Sequence, residues 1–174
     1  MVNGAISGHT STGDGLAAAY LRDNEYFLAS VSTLNQGNLQ YSIIDMSKRN
    51  GLGEKISTAT INGSGLVSET IEMIPVVDIY NQYWLIYNLK GTHYTVVVLK
   101  VDGANPSAPV ITEVNRLSMP SSLANVNVWR MHSSPDYSII AMNGGGSTLL
   151  NGAYYNHYFL NFNPQTGAIS FNSA

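Results

Sequence analysis

The chain has 174 residues, enough for one domain with a substantial core. Hydrophobic residues make up 44% and charged residues 11%, far below the roughly 25% of ordinary soluble domains, so few solvated helix faces can be built. A net charge of −3 with scattered basic residues excludes a phosphate-reading surface, and the absence of cysteine excludes disulfides, thiol chemistry and cysteine-bound zinc.

Eleven Tyr, sixteen Gly and many Ser, Thr and Asn predict strands joined by turns. Residues 1–13 are polar and lack the apolar run of a signal peptide, so an export signal would have to lie outside this chain. Strands are then expected at 16–20, 24–31, 39–46 and 54–61, with a turn at Arg49-Asn50-Gly51. The next set falls at 70–77, 81–88, 94–101 and 110–117, with a turn at Asp102-Gly103. A third set falls at 126–131, within 135–142 after the turn pair Pro135-Asp136 and Tyr137, at 158–163 and at 168–172, with a turn at Gln165-Thr166-Gly167. Only 121–128 reads as a short helical turn, and Asn143-Gly144-Gly145-Gly146-Ser147 reads as a flexible hairpin. No run approaches the roughly 20 apolar residues that span a bilayer as a helix.

The three sets share a shape: a turn pair, a Tyr, an apolar strand, then a second strand and a Gly-bearing turn. Tyr26, Tyr83 and Tyr137 mark the repeat and are spaced by 57 and 54 residues. A period of about 55 residues with four strands each matches the blade of a β-propeller, in which small sheets stack face to face. The units run about 14–67, 68–121 and 122–174. An immunoglobulin-like sandwich shows no such period, and a β-helix repeats over far fewer residues. The expected fold is all-β, with about three four-stranded antiparallel blades. Three blades fall short of the four or more of a closed ring, so the chain is an open fragment of a longer propeller or a ring completed by oligomerisation.

Tyr41-Ser42-Ile43-Ile44-Asp45-Met46-Ser47 followed by Asn50-Gly51-Leu52-Gly53-Glu54 resembles a signature in β-propeller modules of large secreted or cell-surface proteins of Bacteroidetes. Tyr83-Trp84-Leu85-Ile86 resembles a strand of the same modules, and Ser133-Ser134-Pro135-Asp136 is similar to a turn recurring in WD40-like and lactonase-like (YVTN-like) propellers. The order of these elements agrees over nearly the whole chain. Val77 stands where the family has a His, so no role carries over for that position. The resemblance implies an extracellular or cell-surface module and brings no catalytic residues.

The four histidines, His9, His93, His132 and His157, show no metal-ligand spacing, and no calcium loop, P-loop or nucleophile elbow occurs, so no catalytic residue, metal ligand or cofactor is assigned. His132 is placed where an axial channel would open; its bland reading is a hydrogen-bonded turn histidine. The best lead is aromatic. Tyr80, Tyr83 and Trp84, with Tyr87 nearby, form one cluster in the chain, and Tyr154 and Tyr155, beside His157 and Tyr158, form another. Such rings suit stacking on sugars or protein hot spots, unless packing between sheets consumes them.

The leading expectation is a non-enzymatic binding or scaffolding module with a protein or glycan ligand, and with neither nucleic acid nor membrane insertion. One alternative is a lactonase-like enzyme with an axial divalent metal site; another is a structural self-assembly module forming a homo-oligomer.

Overall fold

The computed structural model describes residues 15–32, 37–91, 94–105, 107–119, 126–146 and 155–172. The fold is all-β and antiparallel. Seven strands form one sheet in sequence order: β1 (Leu16–Arg22), β2 (Glu25–Val31), β3 (Gly37–Asp45), β4 (Glu54–Pro75), β5 (Gln82–Leu89), β6 (Thr95–Asp102) and β7 (Val110–Ser118). Four more, β8 (Val126–Ser133), β9 (Ile139–Gly146), β10 (Tyr155–Phe162) and β11 (Ile169–Phe171), form a second sheet in the order β11-β10-β9-β8.

The strands expected at 54–61 and 70–77 are one continuous strand. Its first part pairs with β3 as far as Asn62, and from Val67 onward it pairs with β5. The two residues Gly37 and Leu39 face Val67 and Asn62, so residues 63–66 leave the ladder. Asn62 Oδ1 accepts from the Ser64 amide at 2.9 Å and Ser64 Oγ from the Leu66 amide at 3.2 Å. These side-chain bonds turn the chain without ending it, as bulges do. β4 is therefore the line along which the large sheet folds.

Folding there lays β1–β3 over one face of β5 and β6. Leu21, Phe27, Val31, Leu39 and Ile43 close a core against Leu85, Tyr87, Val97, Leu99 and Val101. On the opposite face Trp84, Ile86, Val96 and Val98 close a second core against Met131, Ile140, Met142, Leu160 and Phe162 of the small sheet. The alternation follows from the two-residue period of a strand. It explains why 96–99 is continuously apolar: a strand covered on both faces has no polar side.

The turns repeat too. β3, β6 and β10 each end in an Asx turn: Asp45 Oδ1 accepts from the Ser47 amide at 2.8 Å, Asp102 Oδ1 from Ala104 at 2.9 Å, and Asn163 Oδ1 from Gln165 at 3.0 Å. Asp23 and Asn24, with φ of 50° and 68°, make the two-residue turn between β1 and β2, and both positive angles match its right-handed twist.

Two expectations in the third set are corrected. In the stretch 135–142, read as a turn pair, Tyr137 and then a strand, the strand starts at Ile139 and Tyr137 (φ 59°) itself belongs to the turn. The Gly run is not a hairpin: Asn143 to Gly146 lie in β9, held by β8 on one side and β10 on the other. Ladder bonds from both neighbours outweigh the weak strand propensity of glycine. The helical turn read at 121–128 is strand from Val126 on; its earlier part lies outside the described residues.

The sheets are locked together by polar ties beside the core. Trp84 Nε1 donates to the Pro164 carbonyl at 2.7 Å, and the ring meets Phe162 edge-on with centroids 6.3 Å apart. Glu72 Oε1 accepts from the Ser133 hydroxyl at 2.7 Å and amide at 3.2 Å, joining β4 to β8. Gly167 (φ +71°) lies so close that an added Cβ would stand 2.7 Å from the indole.

Gly51 (φ +87°) has nothing within 4 Å of such a Cβ, and so isolates backbone strain from crowding. Gly51→Ala is expected to cost about 1 kcal/mol from the left-handed backbone alone, and Gly167→Ala about 2–4 kcal/mol once overpacking is added. Urea unfolding followed by tryptophan fluorescence measures both. Equal losses would mean that the indole does not hold that turn.

Candidate functional site

Three exposed tyrosines gather where two turns meet. Tyr20 of β1 and Tyr26 of β2 are cross-strand partners, with ring centroids 5.4 Å apart in an edge-to-face arrangement. Alternation points both away from the core that holds Leu21 and Phe27. The turn before β5 adds Tyr80, whose ring meets Tyr20 edge-on at 6.5 Å and is 72% exposed. Below them the Tyr83 hydroxyl donates to the Tyr20 carbonyl, on the open edge of β1. That bond uses a backbone acceptor that an edge strand leaves unpaired.

The result is a ledge of three tyrosine rings supported by a fourth. Partial desolvation and the hydrogen bond with Tyr20 push the Tyr80 hydroxyl above its ordinary value, and burial does the same for Tyr83. Both phenols are therefore neutral donors at physiological pH. Asp23, at the tip of the adjoining turn, is paired with Arg22 at 3.7 Å. The ledge thus combines apolar ring faces, hydroxyl donors and one acid, the chemistry of a surface that stacks on a ring and hydrogen-bonds its edge.

The residues singled out in the sequence go to different places. Tyr80 and Tyr83 are in or under the ledge. Trp84 is buried and part of the core, with its only polar atom satisfied by Pro164, so it has no exposed ring face. Tyr87 is buried on the opposite face and accepts from Asn62 Nδ2 at 3.2 Å. Tyr154 lies outside the described residues, and of Tyr155 only the backbone, at the start of β10, is described. His132 is exposed on β8, opposite Ala141, on the outer face of the small sheet. Sequence reasoning missed Tyr20 and Tyr26. Part of a signal existed, since both lie near the Asp23-Asn24 turn, but it is the register shift between Tyr20 and Arg22 that sets Tyr20 opposite Tyr26.

The expected propeller-like turn at Ser134-Pro135-Asp136 is built around one carboxylate. Asp136 accepts from the Ser134 hydroxyl at 2.6 Å, the Ser138 amide at 3.1 Å and the Ser138 hydroxyl at 2.9 Å. These bonds, led by that from Ser134, pull its pKa down from 3.8 to about 2. A second polar feature is internal. Asn88 is fully buried with both amide atoms unpaired, and Thr70 Oγ1 is also buried without a partner. Among the described residues no three His, Cys, Asp or Glu side chains lie close enough to hold a metal ion, and no helix is long and apolar enough to cross a membrane.

Because Asp136 is the stronger acid in the folded chain, its contribution to stability is complete above pH 3.8 and is lost as pH falls through about 2. Asp136→Asn is therefore expected to be less stable than the parent at neutral pH, with the gap closing between pH 3.8 and about 2. Acid unfolding curves of the two proteins check this; parallel curves would count against the assigned turn.

Comparison with known proteins places the chain near none of them: no family model, no curated protein and no solved structure matches it.

Proposed function

We propose that this chain is a β-propeller-type segment of an exported bacterial surface protein, acting as a non-enzymatic binding module for a glycan or protein. The observation that carries the reading is the ledge of Tyr20, Tyr26 and Tyr80. Three rings are held by cross-strand pairing and by Tyr83 rather than used up in either core. Aromatic side chains with few rotatable bonds lose little entropy on binding, which favours them as anchors. A propeller arrangement is supported by layers that cover both faces of β5 and β6 and by the recurring Asx turn. The resemblance carried by residues 41–54 is what supports a surface location.

Self-assembly is a second reading, favoured by one observation. The outward side of β1 and β2 leaves Leu16 59% exposed beside Tyr20 and Tyr26, as an end layer awaiting a neighbour would. Light scattering on a sizing column separates the two: a monomer retaining its ledge supports binding, and a stable dimer supports ring completion.

The binding reading is tested on an oligosaccharide array together with extracted surface proteins. Tyr80→Ala is expected to weaken binding about tenfold or more, as loss of an aromatic anchor does, without lowering the unfolding midpoint. Absence of binding to every glycan and protein offered would overturn the proposal.

A further inference from the structure

A second site, separate from the ledge, lies on the outer face of the small sheet. One row across β8, β9 and β10 reads Arg130, Asn143, His157; the next reads His132, Ala141, Phe159. Together they line a cleft of about 150 Å³. The small Ala141 side chain forms the floor between His132 and Phe159. A bulge creates the first row: Val128 pairs with Gly144 and Arg130 with Asn143, so Trp129 is the extra residue. Bulges of this kind re-aim a side chain, here a guanidinium onto a sheet face.

Three features give the cleft a chemical preference. Arg130 is exposed and makes no ion pair with any described residue. No Asp or Glu lines the cleft, and the one acid within residues 122–174, Asp136, is engaged by Ser134 and Ser138. Asn143 Oδ1, in the middle of the first row, is shielded from solvent and accepts no hydrogen bond. Beside it Phe159 is 54% exposed and gives a flat apolar wall.

A guanidinium fork matches a carboxylate, and a flat ring suits the C–H face of a pyranose. The volume is below the roughly 300 Å³ of pockets that enclose drug-sized ligands, so one ring fits and an extended chain does not. We propose that this cleft binds the terminal carboxylated sugar of an acidic glycan: carboxylate on Arg130, ring against Phe159.

The test titrates the full chain with glucuronate, glucose and acetate by NMR, and repeats the titrations with Arg130→Gln, Arg130→Lys and Phe159→Ala. Glucuronate is expected to bind in preference to both other probes. Arg130→Gln should weaken it about tenfold or more and Arg130→Lys, which keeps the charge but loses the fork, by less. Phe159→Ala should weaken glucuronate several-fold and leave acetate unchanged. Tyr80→Ala should leave glucuronate binding intact, so failure here and failure of the ledge are distinguishable. Glucose binding as well as glucuronate, or an unaltered affinity in Arg130→Gln, would overturn the proposal. Acetate equalling glucuronate would overturn the sugar and leave a site for acidic side chains of a protein. Both exposed positions tolerate substitution, which matching thermal unfolding of each variant verifies.

Discussion

The structure depends on the burial of β5 and β6 on both faces. Neither neighbouring layer owns enough apolar surface to stand alone; each supplies half a core and borrows the other half from this strand pair. Trp84 concentrates that dependence. Its ring fills space between the sheets, its N–H takes up the Pro164 carbonyl, and Gly167 is bare so that the β10–β11 turn can close on it. A satisfied indole N–H is what allows so large a polar-tipped ring to be buried at all. Glu72 and Ser133 repeat the logic on a smaller scale, since a carboxylate at the sheet junction is tolerable only when hydrogen-bonded.

Much of this was legible in the residues. Strands, turns and the all-β class follow from composition and period, and the apolar run at 96–99 announced a strand with no solvent side. The misreadings have physical causes. Glycines 144–146 look like a loop by propensity, yet ladder pairing to β8, and for Gly144 and Gly145 to β10 as well, makes them strand. Residues 62–66 look like a linker, yet Asn62 and Ser64 fold their own backbone and let β4 continue. Tyr137 looks like the third member of a strand-initiating series, but the bonds around Asp136 place it in the turn. Partners distant in sequence decided the outcome for the glycines, whereas at 62–66 and at Tyr137 the deciding side-chain bonds are local and propensity alone does not show them.

The candidate site was half legible for a related reason. Clustering along the chain put Tyr80, Tyr83, Trp84 and Tyr87 together, but a strand sends alternate residues to opposite faces, so Trp84 and Tyr87 parted into separate cores. Tyr20 joined Tyr80 only because the sheet folds at β4 and lays β1 beside the turn before β5. No window of sequence contains that contact. Arg130 and His157 were equally scattered; strand register and a bulge, not spacing, put them in one row.

The two surfaces differ in how they are held, and this bears on what each can recognise. The ledge is assembled from turns of two layers and exists only while the layers stay stacked, so its shape reports the integrity of the core around Phe27 and Tyr87. The cleft is written on three adjacent strands of one sheet, whose backbone spacing fixes side-chain distances without help from the neighbouring layer. A surface on a rigid ladder suits a small ligand with demanding geometry, whereas a ledge between turns suits a larger and less exacting one. A chain this poor in charge has few cations to spare, and Arg130 stands on a sheet face with no ion-pair partner among the described residues. The favourable partner for that guanidinium is therefore one that arrives from outside.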